Sequence, residues 1–269
     1  MNIKNNDAYE LLASRAGDYL NLSERGELVC GNFLTPAEAA YMLSVFKENR
    51  ASERVFLFGG YGEAERKRIF VLPSYLAELD EDASEIADRY FHEDMADAVK
   101  AIKLQGSGYR ELSHRDYLGS VLALGIDRSA IGDIVILDSF SAILFCTDKI
   151  CSYLLTGLER IASDKVSVCE IRITEDILPK REFKPINDTV ASARLDCVVG
   201  ALANLSREKA QTLIRSGLCE IDYIPEDRVD YTVKAPCTVT LRGTGKFNVL
   251  CFDGETKRGR LRLVAQKYI

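Results

Sequence analysis

Four cations set around two short apolar stretches are the residues of this sequence best placed to do chemistry. They lie in Ser192-Ala193-Arg194-Leu195-Asp196, Ser206-Arg207-Glu208-Lys209-Ala210 and Leu213-Ile214-Arg215-Ser216-Gly217. The spacing of Leu195, Val198, Val199, Leu202 and Leu205 predicts one helix, and Ser206 is a good N-cap for a second that Gly217 ends in a left-handed conformation. Ser192, Arg194, Ser206, Arg207, Lys209 and Arg215 then gather at helix starts and ends. Fixed charge and free backbone N–H groups both attract phosphate oxygens there. Composition alone would make this a plain solvated hairpin; order and spacing favour the phosphate surface.

A second basic tract follows, Leu241-Arg242-Gly243-Thr244-Gly245-Lys246-Phe247 and then Lys257-Arg258-Gly259-Arg260-Leu261-Arg262. Period-two alternation places Arg258, Arg260 and Arg262 on one strand face, and with Arg242, Lys246 and Lys257 they suit backbone phosphates. The neighbouring glycines let a ligand approach the main chain closely. As a nucleotide-binding G-x-G loop the tract is weak, because no helix is predicted after it. Upstream, Ser113 and Asp116 form an S-x-x-D cap that puts His114 and Arg115 at a helix start, a further phosphate seat. Arg66 and Arg68 stand in the charged run Glu63 to Arg68 as additional candidates. Reading His114-Arg115-Asp116 as a kinase catalytic loop fails, because position 121, where magnesium needs an Asn, is Val.

These candidates sit in a chain of uneven charge. The net charge is −6, yet residues 1–180 carry 20 Lys and Arg against 30 Asp and Glu, while residues 181–269 carry 15 against 11. A basic working end on an acidic body is implied. With 47% hydrophobic and 28% charged residues the chain reads as an ordinary globular protein. No run approaches the ~20 apolar residues of a membrane span, and Met1-Asn2-Ile3-Lys4-Asn5-Asn6 lacks a signal peptide's apolar stretch, so no membrane partner and a cytoplasmic location are expected. The eight cysteines include no C-x-x-C pair, and with two histidines they read as buried free thiols; no metal and no cofactor are expected.

The elements that must position the candidates fall into three regions. Residues 1–80 read as helix (Asp7 to Leu22), helix (opened by the Thr35-Pro36-Ala37-Glu38 capping box and running to about Glu48) and two strands, Val55 to Phe58 and Ile69 to Leu72. The acidic stretch Glu78 to Asp88 marks a boundary. Residues 81–178 alternate strand (Val99 to Leu104), helix (from Ser113, stopped by Gly125), strands (Asp133 to Leu137, Ala142 to Cys146), helix (Thr147 to Ile161) and strand (Val166 to Ile173). That β-α-β-β-α-β order is ferredoxin-like, a frequent RNA-binding arrangement, though without the aromatic RNP segments of an RRM. After the link Pro179 to Pro185, residues 182–269 hold the two short helices and strands around Ile221, Val239, Leu241 and Val249. The expected fold class is α+β.

The tracts Arg194-Leu195-Asp196, Ser206-Arg207-Glu208-Lys209-Ala210 and Leu213-Ile214-Arg215-Ser216-Gly217 resemble the S4 domain of a ribosomal small-subunit protein, of pseudouridine synthases and of tyrosyl-tRNA synthetases. A Gly-Asp turn common in that family is missing near Ala235-Pro236-Cys237. Over nearly the whole chain, Phe58-Gly59-Gly60-Tyr61, Ala64 to Arg68, Leu112 to Ser120, Leu124-Gly125-Ile126, Ile131-Gly132-Asp133 and Arg242-Gly243-x-Gly245-Lys246-Phe247 resemble the YlmH family of bacterial S4-domain proteins. The resemblance implies a two-part N-terminal region and a C-terminal S4 domain (182–269). It also implies association with cell division, and with binding of the large ribosomal subunit and tRNA during rescue of stalled nascent chains. Three readings stay open: a non-catalytic binder of ribosomal RNA or tRNA, an RNA-modifying enzyme resembling a pseudouridine synthase, and an adaptor for division or translation proteins. Only 73 residues follow Asp196, too few for a synthase domain there.

Overall fold

The computed structural model describes residues 3–76, 81–173, 177–179, 182–257 and 259–269, with side chains from Tyr9 onward. The fold class is α+β, and the chain divides into two compact units, Met1–Pro179 and Lys180–Ile269.

The first unit begins α1 (Ile3–Glu24), β1 (Val29–Leu34), α2 (Pro36–Glu48), β2 (Val55–Phe58) and β3 (Lys67–Val71). The expected capping box closes: Thr35 N donates to Glu38 Oε2 at 2.7 Å and Glu38 N to Thr35 Oγ1 at 3.3 Å, with Pro36 opening the helix. The strands form an antiparallel sheet in the order β1-β3-β2. One face carries Ile69 and Val71 against Leu12, Ala16, Met42 and Phe46 of α1 and α2. Its other face carries Phe33, Phe56 and Phe70 into a second core. Covered on both faces, β3 is a continuous buried run rather than an alternating one.

Next come α3 (Ala83–Ala98), β4 (Val99–Gly106), α4 (His114–Ala123), β5 (Ile131–Asp138), β6 (Ser141–Thr147), α5 (Asp148–Gly157), β7 (Arg160–Ile161) and β8 (Asp164–Ile171). Their sheet runs β5-β6-β4-β8-β7, with every neighbour antiparallel. Two split β-α-β units interlock in this order, the arrangement expected from the alternation of elements. The second helix is shorter than expected: α5 stops at Gly157, and Arg160–Ile161 turns back as an edge strand instead of continuing it.

All seven residues of β6 are buried, and alternate ones feed two cores. Ala142, Leu144 and Cys146 meet Tyr117, Val121 and Leu154 of α4 and α5, whereas Ile143 and Phe145 meet Phe33, Phe56 and Phe70 together with α3. The acidic stretch read as a boundary therefore runs into α3, which Asp82 caps and which buries Ala83, Ile86, Ala87, Met95 and Ala98 in the core joining the two sheets. Glu78 to Asp80 of that stretch lie outside the described residues.

The second unit holds β9 (Phe183–Val190), α6 (Leu195–Ala203), α7 (Arg207–Arg215), β10 (Cys219–Ile221), β11 (Ile224–Pro225), β12 (Cys237–Leu241), β13 (Gly245–Glu255) and β14 (Leu261–Tyr268). One antiparallel sheet results, ordered β11-β10-β12-β13-β14-β9. The segment expected as a link contains the start of β9, which pairs with β14 in an unbroken register from Tyr268↔Phe183 to Leu261↔Val190. Val198, Val199, Ala210 and Ile214 of the helices pack on Ile221, Val239, Leu241, Phe247, Val249 and Leu263. Both helices of this unit lie on that one face of the sheet.

The thiols divide by place: Cys146, Cys151, Cys219 and Cys237 are buried and Cys30 and Cys197 half-buried, but Cys169 and Cys251 are exposed, against the expectation that all are buried. Among the described residues no helix is long and apolar enough to cross a membrane.

Candidate nucleic-acid interface

The helical hairpin of the second unit is built around one carboxylate. Asp196, in the first turn of α6, is fully buried. It accepts from Arg194 Nε at 3.1 Å and Nη2 at 3.3 Å, from Arg207 Nε at 3.0 Å and from Gln211 Nε2 at 2.8 Å. Burial alone would raise its pKa; the hydrogen bonds from Arg194, Gln211 and Arg207 outweigh that and hold the carboxyl well below the usual carboxylate range. Asp196 is thus an anion at neutral pH that ties the start of α6 to α7.

The consequence falls on the arginines. Their side chains remain 39% (Arg194) and 65% (Arg207) exposed although both guanidinium groups are anchored. A guanidinium has five N–H donors in a rigid fork. Arg194 spends two on Asp196 and Arg207 spends one. The others stay available in a fixed orientation, so the entropy of ordering a long side chain is met before any ligand arrives. Arg215, exposed in the last turn of α7, lies two turns from Arg207 on the stripe of Gln211. Lys209 is exposed on the same helix, where its N–H donates to the Ser206 cap at 3.4 Å.

One part of the expected phosphate seat is absent. The first N–H groups of α6 are spent inside the protein: Leu195 N donates to Tyr231 O at 2.8 Å and Asp196 N to Val229 O at 3.1 Å. The contact surface here consists of side-chain cations rather than a bare helix terminus. Ser192 faces Cys197, Oγ to Sγ 3.9 Å, at its rim.

The other predicted cations are not gathered with these. Arg242 Nη2 donates to Glu220 Oε1 at 2.9 Å, and Lys246 belongs to the sheet face away from the helices, since Phe247 next to it enters the core. Among the described residues, Arg260 and Arg262 do not share the expected strand face. β14 begins at Leu261, and Arg260 precedes it, folded onto Thr189 through Oγ1 at 3.1 Å and the backbone carbonyl. Arg262 and Lys257 are exposed, and Arg258 lies outside the described residues.

In the first unit Arg66 and Arg68 turn inward. Arg66 donates to the carbonyls of Ile131, Phe33 and Arg128 at 3.0, 3.3 and 3.3 Å. Arg68, 3% exposed, donates to Gly31 O at 2.6 Å and to Ala98 O, and pairs with Asp148 at 3.4 Å. Both serve backbone carbonyls between strands and are withdrawn from a ligand. His114 and Arg115 are exposed as expected, but the carboxylate of Asp116 already sits at that helix start. It accepts from Ser113 N at 2.9 Å and pairs with Arg110 at 3.2 Å. Nor is the five-stranded sheet open for base stacking, because its second face is buried under α3 and the small sheet. What the sequence reading missed is the central role of Asp196 and the partner Gln211, one helical turn past Arg207. An acid two residues after one arginine and eleven before another is the signal that could have found it.

The fold and the site define an α+β protein that joins a ferredoxin-like layer to a hairpin of anchored, outward-facing arginines. Residues 19–76 match the family model described as "YlmH, N-terminal", and residues 93–175 that described as "Putative RNA-binding domain in YlmH". The chain belongs to the YlmH family. It is 26% identical over 246 residues, 91% of its length and 90% of the other's, to the "Ribosome-associated protein quality control protein P2" of Bacillus subtilis (strain 168). It is also similar to the solved "Cell division protein ylmH from Streptococcus pneumoniae", at 20% identity and TM-score 0.47 over 66% of this chain and 96% of that one.

Proposed function

We propose that this protein is a non-catalytic RNA-binding protein of the cytoplasm. It grips structured RNA through the α6–α7 hairpin, acting as an S4 module, with large-subunit ribosomal RNA and tRNA as its ligands in translation or the rescue of stalled ribosomes. The carrying observation is the pair of exposed guanidinium groups held by buried Asp196. An arginine already fixed by an acid behind it offers a phosphate a bidentate edge without a further ordering cost. The RNA-binding description of the family model over residues 93–175 and the ribosome-associated name of the Bacillus relative support the same reading.

The test avoids Arg194 and Arg207, because their loss would orphan a buried carboxylate and confuse unfolding with lost binding. Lys209→Ala with Arg215→Ala, both exposed, removes two cations and spares Asp196. Anisotropy of a labelled ribosomal RNA hairpin should show weaker binding and a salt dependence shallower by about one unit of slope per cation. Unchanged affinity and slope in a folded double variant would overturn the proposed surface. Crosslinking and sequencing of bound RNA from cells should return large-subunit ribosomal RNA and tRNA. Recovery of neither would overturn the ligand assignment.

A further inference from the structure

The face of the six-stranded sheet turned away from α6 and α7 carries its own pattern. Along one end of it stand Tyr223 in the β10–β11 turn, Lys246 on β13, Tyr268 on β14 and Phe183 on β9; Lys246 and Tyr268 are set opposite by the Phe247↔Lys267 register and Tyr268 pairs with Phe183. The Lys246 ammonium lies 4.8 Å from the Tyr223 ring centre and 5.1 Å from that of Tyr268. The Phe183 and Tyr268 rings meet edge to face at 5.1 Å. Asn248, on the same face, fixes Tyr268 from the side, its Oδ1 accepting from Tyr268 Oη at 3.2 Å and from Thr238 Oγ1 at 3.1 Å. Arg262 adds an exposed cation further along β14, and the carboxylate of Glu220 is neutralised by Arg242.

Rings interleaved with cations on one half-exposed sheet face match the chemistry of an unpaired RNA strand, whose bases stack on flat aromatic surfaces while its phosphates seek positive charge. We infer that this face is a second RNA site, distinct from the α6–α7 hairpin, that takes unpaired nucleotides by stacking on Tyr268 and its neighbours, with Lys246 and Arg262 meeting the backbone. The inference rests on the reading of this protein as an RNA binder. It adds that the same unit holds folded RNA on its helical side and a single strand on its sheet side.

The sequence contains no tryptophan, so Tyr268→Trp in the full-length chain gives a single-site reporter. Two probes are used, a labelled octamer of uridines and a base-paired RNA hairpin, each followed by anisotropy. The expected result is strong quenching of the tryptophan by the octamer. Tyr268→Leu should weaken octamer binding on the order of tenfold and leave hairpin binding within about twofold. Lys246→Gln should lower the octamer's salt dependence and provides a second variant should Tyr268→Leu not fold. An octamer that binds without changing the tryptophan emission, or that does not bind, overturns the sheet site. So does equal quenching by polyglutamate, which would mark an acidic-peptide site. Hairpin binding that still responds to Lys209→Ala and Arg215→Ala would leave the helical site standing in those cases, and loss of both interactions in the native protein would overturn both readings.

Discussion

Replacing Asp196 by Asn keeps the shape of the side chain and every cation of the hairpin, but removes the charge on which Arg194 and Arg207 converge. Four hydrogen bonds reach this carboxylate. Such bonds to a charged group contribute about 1.5–3 kcal/mol each, net of exchange with water. An amide can still accept some of them, and the two partly exposed guanidinium groups can recover water. Its NH2, however, must face a donor of Arg194 or Arg207. The net loss should be about 2–4 kcal/mol in the unfolding of the second unit. For a unit of this size that is on the order of 10–20 °C in midpoint, read by circular dichroism of the whole chain with the first unit's transition as internal reference. The same variant should bind an RNA hairpin more weakly with all its arginines present, because their orientation is lost. A variant within about 0.5 kcal/mol of wild type that binds RNA unchanged would refute the anchoring argument.

Acidification tests the same group by another route. The folded pKa of Asp196 lies below its unfolded value of about 3.9, so its stabilisation is complete above that value and drains away as pH falls toward the folded pKa. The second unit's midpoint should drop more steeply below about pH 4 in wild type than in Asp196→Asn. Arg68→Ala strips the donor from the carbonyls of Gly31 and Ala98 and should cost the first unit about 2–5 kcal/mol, measured by urea unfolding, with RNA affinity unchanged. Gly60→Ala forces a Cβ at φ +95° to within 2.6 Å of the Phe145 ring; a loss of about 2–4 kcal/mol is expected in the same assay.

Much of the fold was legible because its signals are local. Thr35 with Glu38, Ser113 with Asp116, and Ser206 before α7 announce helix starts through side chains that reach only three residues. The β-α-β-β-α-β order could likewise be read from apolar runs between such starts. Charge was the less faithful guide, because a sequence shows that an arginine is present and not which way it turns. Arg66 and Arg68 look as basic as Arg207 until the fold turns them onto backbone carbonyls of β1, β5 and the end of α3. β9 stayed hidden because Pro185 interrupts it and half of its residues are exposed, which leaves no apolar alternation to detect. Asp196 stands within the Arg194-Leu195-Asp196 tract, but two of its three partners lie eleven and fifteen residues away across a turn. Only the folded hairpin brings them to it.

The two outer strands of the six-stranded sheet each contain a proline, Pro185 in β9 and Pro225 in β11. A row of unpaired backbone groups at a sheet margin is a template on which another chain can add a strand. A proline there offers no N–H, and β11 is only two residues long. Removing the ring, by Pro185→Val, would restore a donor to a β-branched margin. Such a chain should self-associate more strongly than the native one at matched concentration, as read by sedimentation velocity. The residue that hid β9 from sequence reading also guards it against its own copies.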